Sequence, residues 1–382
     1  MNSRRPRRGR IAIISVALIT ALIVASAVVI SANNDANIHK VMNIAYGQKA
    51  SGPSGGVASY EVSAASEDIQ ATYGAFSVPG SALDAQYISY DPSLCSGSAT
   101  GPAVKDIVLD ADELLFGKKG AKLTIKIAAT PKKADLTSLS FESSDESVAT
   151  VDGNGKVKAR GWGTCDITAK VGSKNAKCKV TVARKWVALT FDDGPGKPTD
   201  KLLKNLEKQD VRATFFIVGR MAKSRGSTLK KIVKNGNEIG NHTYDHDGSP
   251  HALKNGLKKT DDLVKKALGC ATSLMRPPGG AINNVTRQCG KAIIMWSVDP
   301  KDWQDRDSDT VYGRVMKGTK SGSIVLLHDI HQTSADAAVR IIKSLKNKGY
   351  AFVTVSELLD GPEANEVYNK GPEKVRTMKI KY

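Results

Sequence analysis

From Trp186 to about Asp360 the chain alternates between short apolar runs and longer amphipathic ones, and this beat restricts the fold more than any other feature. Trp186–Phe191, Val211–Val218, Asn237–Asn241, Leu274–Arg276, Ala292–Val298, Ser323–Leu327 and Ala351–Val355 read as buried strands. Helical spacing falls between them. One helix starts at Pro198 with Leu202, Leu203 and Leu206, and another follows Val218 to about Asn235, stopped by Gly236. The spacing resumes over Ala252–Leu268 with Leu253, Leu257, Val264 and Leu268, then over about Thr310–Lys317 and Ser334–Asn347. Regular β-then-α order predicts a parallel sheet or barrel. About 175 residues is short for an eight-fold barrel, which usually needs about 250.

The reactive residues fall at the ends of these strands. Asp192 and Asp193 follow Val187–Phe191, His242 and His246 follow Glu238–Gly240, Arg276 ends the run at Leu274, Asp299 ends Ile293–Val298, and His328 ends Ile324–Leu327. In parallel α/β folds the C-terminal strand ends form one face, and active sites are built there. Each piece alone is commonplace, because a His pair is usually solvated and Asp-Asp-Gly-Pro is usually a turn. Five strand ends carrying such groups predict one pocket.

Those residue types suit a metal. His242 and His246 are four apart, so one helical turn or a tight loop brings both imidazoles to one side. Two imidazoles and one carboxylate of the Asp192–Asp193 pair suit zinc, cobalt or another first-row divalent ion. Three protein ligands leave a position for water, whose pKa such an ion lowers toward about 7. The second carboxylate is then available as a base and His328 as an acid. Arg276 and Asp299 are available to set the charge states of those two groups.

The same residues carry a resemblance. Thr190-Phe191-Asp192-Asp193-Gly194-Pro195, His242-Thr243-Tyr244-Asp245-His246, Arg276-Pro277-Pro278-Gly279-Gly280, Asp299-Pro300-Lys301-Asp302-Trp303 and Leu327-His328 stand in the order of the NodB-like polysaccharide deacetylases, carbohydrate esterase family four. Ala213-Thr214-Phe215-Phe216 matches a strand of that family. The resemblance implies an irregular (β/α) barrel of fewer than eight units. It implies Asp192 as general base, with Asp193, His242 and His246 as metal ligands. It also implies His328 as general acid, Arg276 orienting Asp192, and Asp299 tuning His328. Leu327 and Trp303 would line the hollow for the acetyl methyl, and the Gly279 N–H would hold the oxyanion. Gly279 departs from the family, many of whose members carry an aromatic there, which puts substrate grip in question.

Upstream, about Val104 to Ala183 reads as a small β-sandwich. Lys122–Ile127, Asp166–Ala169 and Lys179–Val182 alternate, and Asp152-Gly153-Asn154-Gly155 is a hairpin-type turn. Ser143–Asp152, Gly153–Val157 and Gly161–Thr168 resemble the bacterial Ig-like domain of group two, which implies a spacer or wall-contacting module. Asn33 to Ala103, with Ser51-Gly52-Pro53-Ser54-Gly55-Gly56, reads as a stalk. Residues 363–382 are expected as a tail after a catalytic domain spanning 184–362.

Arg4, Arg5, Arg7, Arg8 and Arg10 precede Ile11–Ala32, a run without a charge. Its length suits a bilayer-spanning helix, and the arginines keep the N-terminus inside. The competing reading is a signal peptide cleaved near Ala25-Ser26-Ala27. Both export everything downstream. The net charge of +18 suits an anionic membrane or wall. No nucleic-acid motif accompanies it, so no nucleic-acid partner is expected. Outside the cytoplasm disulfides are permitted, and Cys165–Cys178 and Cys270–Cys289 are the pairs the spacing offers, with buried free thiols as the alternative. Together these features lead to the expectation of a cell-surface enzyme that removes acetyl groups from N-acetylated polysaccharide. Peptidoglycan N-acetylglucosamine is the favoured substrate. The alternatives are an O-acetyl esterase on xylan or another glycan, and a non-catalytic wall-binding protein.

Overall fold

The computed structural model describes residues 101–381. The expected anchor, the stalk up to residue 100 and Cys95 lie outside the described residues. Among the described residues no helix is long and apolar enough to cross a membrane.

The first part of the described chain is all-β. Met378–Ile380, Glu113–Phe116, Lys174–Val182, Gly163–Val171 and Ser140–Ser143 form one sheet in that order. Lys122–Thr124, Lys156–Ala159 and Ala149–Val151 form a second, and Asp106–Leu109 pairs with Ile127–Thr130. The alternation in the sequence becomes the two faces of a strand. Cys165, Ile167, Ala169 and Val171 are buried while Asp166, Thr168 and Lys170 between them are partly exposed. The Asp152–Gly155 turn forms as expected, with Gly155 at φ 73° and Asp152 Oδ1 accepting the Asn154 and Lys156 N–H groups at 3.0 and 2.9 Å.

The expected disulfides are absent, since Cys165, Cys178, Cys270 and Cys289 are all free. The strand register explains the first pair. Cys165 lies opposite Val180 and Cys178 opposite Ile167, so the two thiols are diagonal neighbours rather than partners. Diagonal Cα separations of about 7–8 Å exceed the reach of an S–S bridge.

The second part is a curled parallel sheet wrapped by helices. Ser323–His328, Lys185–Asp192, Thr214–Ile217, Glu238–Asn241, Leu274–Met275 and Ala292–Ile294 lie side by side, every adjacent pair parallel. A parallel bridge between Val298 and Val325 then joins the last of these back to the first. The barrel-like ring therefore closes with fewer than eight staves, which is how it fits the short length. Odd-numbered residues of the central strand, Val187, Leu189 and Phe191, pack outward against helix residues such as Leu202, Ile341 and Leu345. Even-numbered Trp186 and Ala188 point inward with Phe216, Leu274 and Ile324. Local signals bound the helices. Ser249 caps Pro250–Leu268, Gly269 terminates it at φ 88°, and Thr354 with Glu357 forms a capping box on Val355–Leu359.

The expected C-terminal tail is instead a strap. Val367–Tyr368 adds to the barrel sheet beside Ala292–Ile294. The Pro372 carbonyl accepts the Trp186 indole N–H at 2.6 Å. Met378–Ile380 then pairs antiparallel with Glu113–Phe116 at the edge of the Ig-like sheet. Only three residues pair there, too short a run for period-two alternation to register. A buried ion cluster joins the same two parts. Arg212 of the barrel binds Glu113 of the Ig-like sheet at 2.9 Å and also binds Glu357.

Candidate active site

Parallel pairing places the chemistry. Asp192 and His328 are register partners at the C-terminal ends of adjacent strands, and Phe216 stands opposite Asp192 on the other side. Asn241 ends the next strand, so the chain turns over the same rim at His242, and Arg276 follows Leu274–Met275.

Asp193 Oδ1 lies 3.4 Å from His242 Nε2 and 3.2 Å from His246 Nε2. The ligand-capable atoms of these three residues fall within 4.8 Å of one another. His242 Nδ1–H donates to the Arg276 carbonyl at 2.7 Å, which leaves Nε2 with its lone pair toward Asp193. Asp193 Oδ1 is buried and has no hydrogen-bond partner. An orphaned carboxylate oxygen faced by two imidazole nitrogens fits a divalent cation. The His246 side chain is 41% exposed, so the cluster is open on one side. Burial opposes ionisation of Asp193, but contact with His242 and the nearby His246 and His328 hold its carboxyl down, to about 2. Burial and then His242 lower the His246 pKa, which keeps that imidazole neutral for ligation.

The His pair sits on a strained loop rather than a helical turn. Thr243 and His246 have φ of 65° and 61°, and Asp193 has φ 70°. Positive φ is costly for a β-branched residue such as Thr243, and such strain concentrates at functional sites. The Asn241 side chain secures the loop by accepting the Thr243 N–H at 2.8 Å.

Asp192 is 2% exposed and accepts from Arg276 Nη1 at 2.7 Å. Arg276, itself fully buried, also donates to Thr190 Oγ1 and to the Ile294 and Met295 carbonyls. Asp192 Oδ2 is 3.7 Å from His242 Nε2, on the edge of the Asp193 cluster.

Two expected assignments are corrected. His328 is gripped by Asp302, not Asp299. Its Nδ1–H donates to Asp302 Oδ1 at 2.8 Å, while its backbone N–H and Ser334 Oγ donate to Asp302 Oδ2 at 2.8 and 2.5 Å. Asp299 spends its carboxylate on the Lys301 N–H, in a turn where Lys301 has φ 56°. That left-handed residue swings the chain so that the second aspartate, not the first, points inward. Burial opposes protonation of His328, yet the Asp302 hydrogen bond and charge, aided by Asp192 and Asp193, raise its pKa to about 9.

The second correction concerns the pleat. Leu327 pairs with Phe191 and joins the outward core against the helices. Leu326 pairs with Thr190, two residues before the Asp192–His328 pair, and so shares the face of His328. Leu326, not Leu327, is the apolar neighbour of the site. Trp303 is 48% exposed on the short helix that Asp302 begins. Gly279 sits at φ 60° with open space where a Cβ would stand.

Asp329 was not anticipated. It is wholly buried, accepts from Thr199 Oγ1, and lies against Gly194, where any Cβ would collide with its carboxyl. Burial, with nearby Asp193, pushes its pKa up to about 7. It supports the Asp193–Gly194 turn from below. The only sequence signal was its place beside His328.

Two stretches of the chain match known families. Residues 179–294 match the family model described as polysaccharide deacetylase, and residues 104–182 match the bacterial Ig-like domain (group 2). A peptidoglycan-N-acetylglucosamine deacetylase of Bacillus cereus is 40% identical over 194 residues, 46% of this chain and 88% of that protein. This chain belongs to the polysaccharide deacetylases. Other relatives of the deacetylase domain are longer. The peptidoglycan-N-acetylmuramic acid deacetylase PdaC of Bacillus subtilis is 43% identical over 46% of this chain and 39% of its own length. The peptidoglycan-N-acetylglucosamine deacetylase PgdA of Listeria monocytogenes is 36% identical over 53% and 46%. The chain thus spans less than half the length of these two relatives.

Proposed function

We propose that this protein hydrolyses N-acetyl groups from a cell-wall polysaccharide, with peptidoglycan N-acetylglucosamine as the favoured sugar. One observation carries the reading: a carboxylate and an imidazole, Asp192 and His328, stand as register partners beside the open Asp193–His242–His246 cluster. A base and an acid on either side of one reacting centre are what amide hydrolysis requires.

A divalent metal, zinc being the favoured identity, would be held by Asp193, His242 and His246 and would supply Lewis-acid polarisation at the acyl group and at water. Asp192, fixed in place by Arg276, takes a proton from the attacking water. The Gly279 N–H stabilises charge developing on the acyl oxygen. His328, held protonated by Asp302, gives its proton to the departing sugar nitrogen. Acetate and a free amine result. Leu326 offers the acetyl methyl an apolar surface.

Relatives named for N-acetylglucosamine and N-acetylmuramic acid both occur, so the sugar is decided by experiment. The export reading rests on the arginine-led apolar run Ile11–Ala32 and places the enzyme against its own wall. The test is acetate release from peptidoglycan and from acetyl-xylan, with and without chelator, followed by mass spectrometry of muropeptides. Chelator-sensitive release from peptidoglycan with the mass loss on glucosamine supports the proposal. Release from acetyl-xylan alone overturns the substrate. No release from any glycan by metal-loaded protein favours a binding role.

A further inference from the structure

At the opposite end of the barrel from the metal cluster, a cleft of about 610 Å³ lies between the Ig-like sheet and the barrel. Lys185 begins the strand that Asp192 ends. At about 3.3 Å per residue the cleft and the site are roughly 23 Å apart. Trp162, Lys179, Arg184, Lys185, Lys348 and Tyr350 line its walls.

The cations here are held in an unusual way. Arg184 stacks 4.6 Å over the Trp162 ring, with Lys119 5.4 Å from the same centroid, and Lys185 lies 5.2 Å over Tyr350. A carboxylate would fix a cation and cancel its charge. An aromatic face fixes it and leaves the charge intact. Among the described residues Arg184, Lys185 and Lys348 form no ion pair. The acids of the cleft, Glu113 and Asp210, are already engaged by Lys179 and Arg212. Burial first, then the charge of Lys179, depress the Lys346 pKa.

We infer that this cleft binds a polyanionic, phosphodiester-linked glycopolymer, tethering the enzyme to the wall by a site separate from the catalytic one. Two cations held on aromatic faces, with Lys348 lining the same open cleft, suit a polymer that repeats a negative charge at each unit. The charge on every repeat, rather than any one sugar, is what these cations recognise.

The test uses the full chain and sedimentation with three probes: sacculi carrying covalently bound phosphodiester polymer, the same sacculi stripped with hydrofluoric acid, and phosphatidylglycerol vesicles. Stripping should weaken binding by at least about tenfold, and added salt should weaken binding to the untreated sacculi. The triple variant R184Q/K185Q/K348Q should lose the preference for untreated sacculi. Its acetate release from soluble N-acetylglucosamine oligomers should stay at the wild-type rate. Equal binding to stripped sacculi, a triple variant that still discriminates, or tighter binding to the vesicles would each overturn the inference. If the triple variant melts early, the salt titration of the wild type decides: binding indifferent to salt rejects the cleft. Sedimentation reads binding without turnover, so a failure of the deacetylase reading is seen separately.

Discussion

His328 and Asp302 are joined twice, through the imidazole Nδ1–H and through the backbone N–H of the histidine, both at 2.8 Å. The carboxylate therefore sets both the orientation and the charge of the ring. With His328 raised to about 9, the acid form persists through neutral pH and is lost only as pH rises past that value. The kcat/KM profile on a soluble oligomer should fall on its alkaline side near there. Asp302→Asn removes the main cause of the elevation. The alkaline limb should move down toward the ordinary histidine range, with about 10²–10⁴-fold lower kcat. Asp299→Asn should leave the profile in place. A limb that moves with Asp299 and not with Asp302 refutes the pairing.

The orphaned Asp193 oxygen between two imidazoles makes metal binding and stability linked quantities. Added zinc at 100 times its Kd should stabilise the protein by about 2.7 kcal/mol. His246→Ala should abolish that rise in melting temperature, and calorimetry without substrate reads it directly.

Leu326 and Leu327 separate site from core. Leu327→Ala should cost about 2–5 kcal/mol in urea unfolding, because its side chain is wholly buried among helix residues, with kcat little changed. Leu326→Ala should instead raise KM for acetylated substrates relative to propionylated ones. Steady-state kinetics on the two acyl groups checks this.

The strap predicts one cooperative unit. Ending the chain after Thr377 removes the strand that pairs with Glu113–Phe116. Arg212→Ala leaves Glu113 and Glu357 buried without their shared cation, a loss of about 3–5 kcal/mol. Either change should split a single unfolding transition into two, seen by near-ultraviolet dichroism and by calorimetry. Single transitions in both variants would argue against coupling.

Among the described residues the four cysteines are free, so no disulfide there is open to reduction. Reductant should leave the melting temperature unchanged.

Much of this was written locally. Hydrophobic period and caps are properties of neighbouring residues, so most strands, the longer helices and the rim positions of Asp192, Asp193, His242, His246, Arg276 and His328 could be read from the chain alone. Tertiary structure decided what depends on direction. Which of Asp299 and Asp302 faces His328 turns on the φ of Lys301. Which of two adjacent leucines faces the site turns on strand register. Whether Cys165 meets Cys178 turns on a two-residue offset. The last residues became part of the Ig-like sheet because an open edge was available to a segment too short to announce itself. A periodic pattern encodes that a face is buried, but which partner it meets is fixed only when distant strands pair.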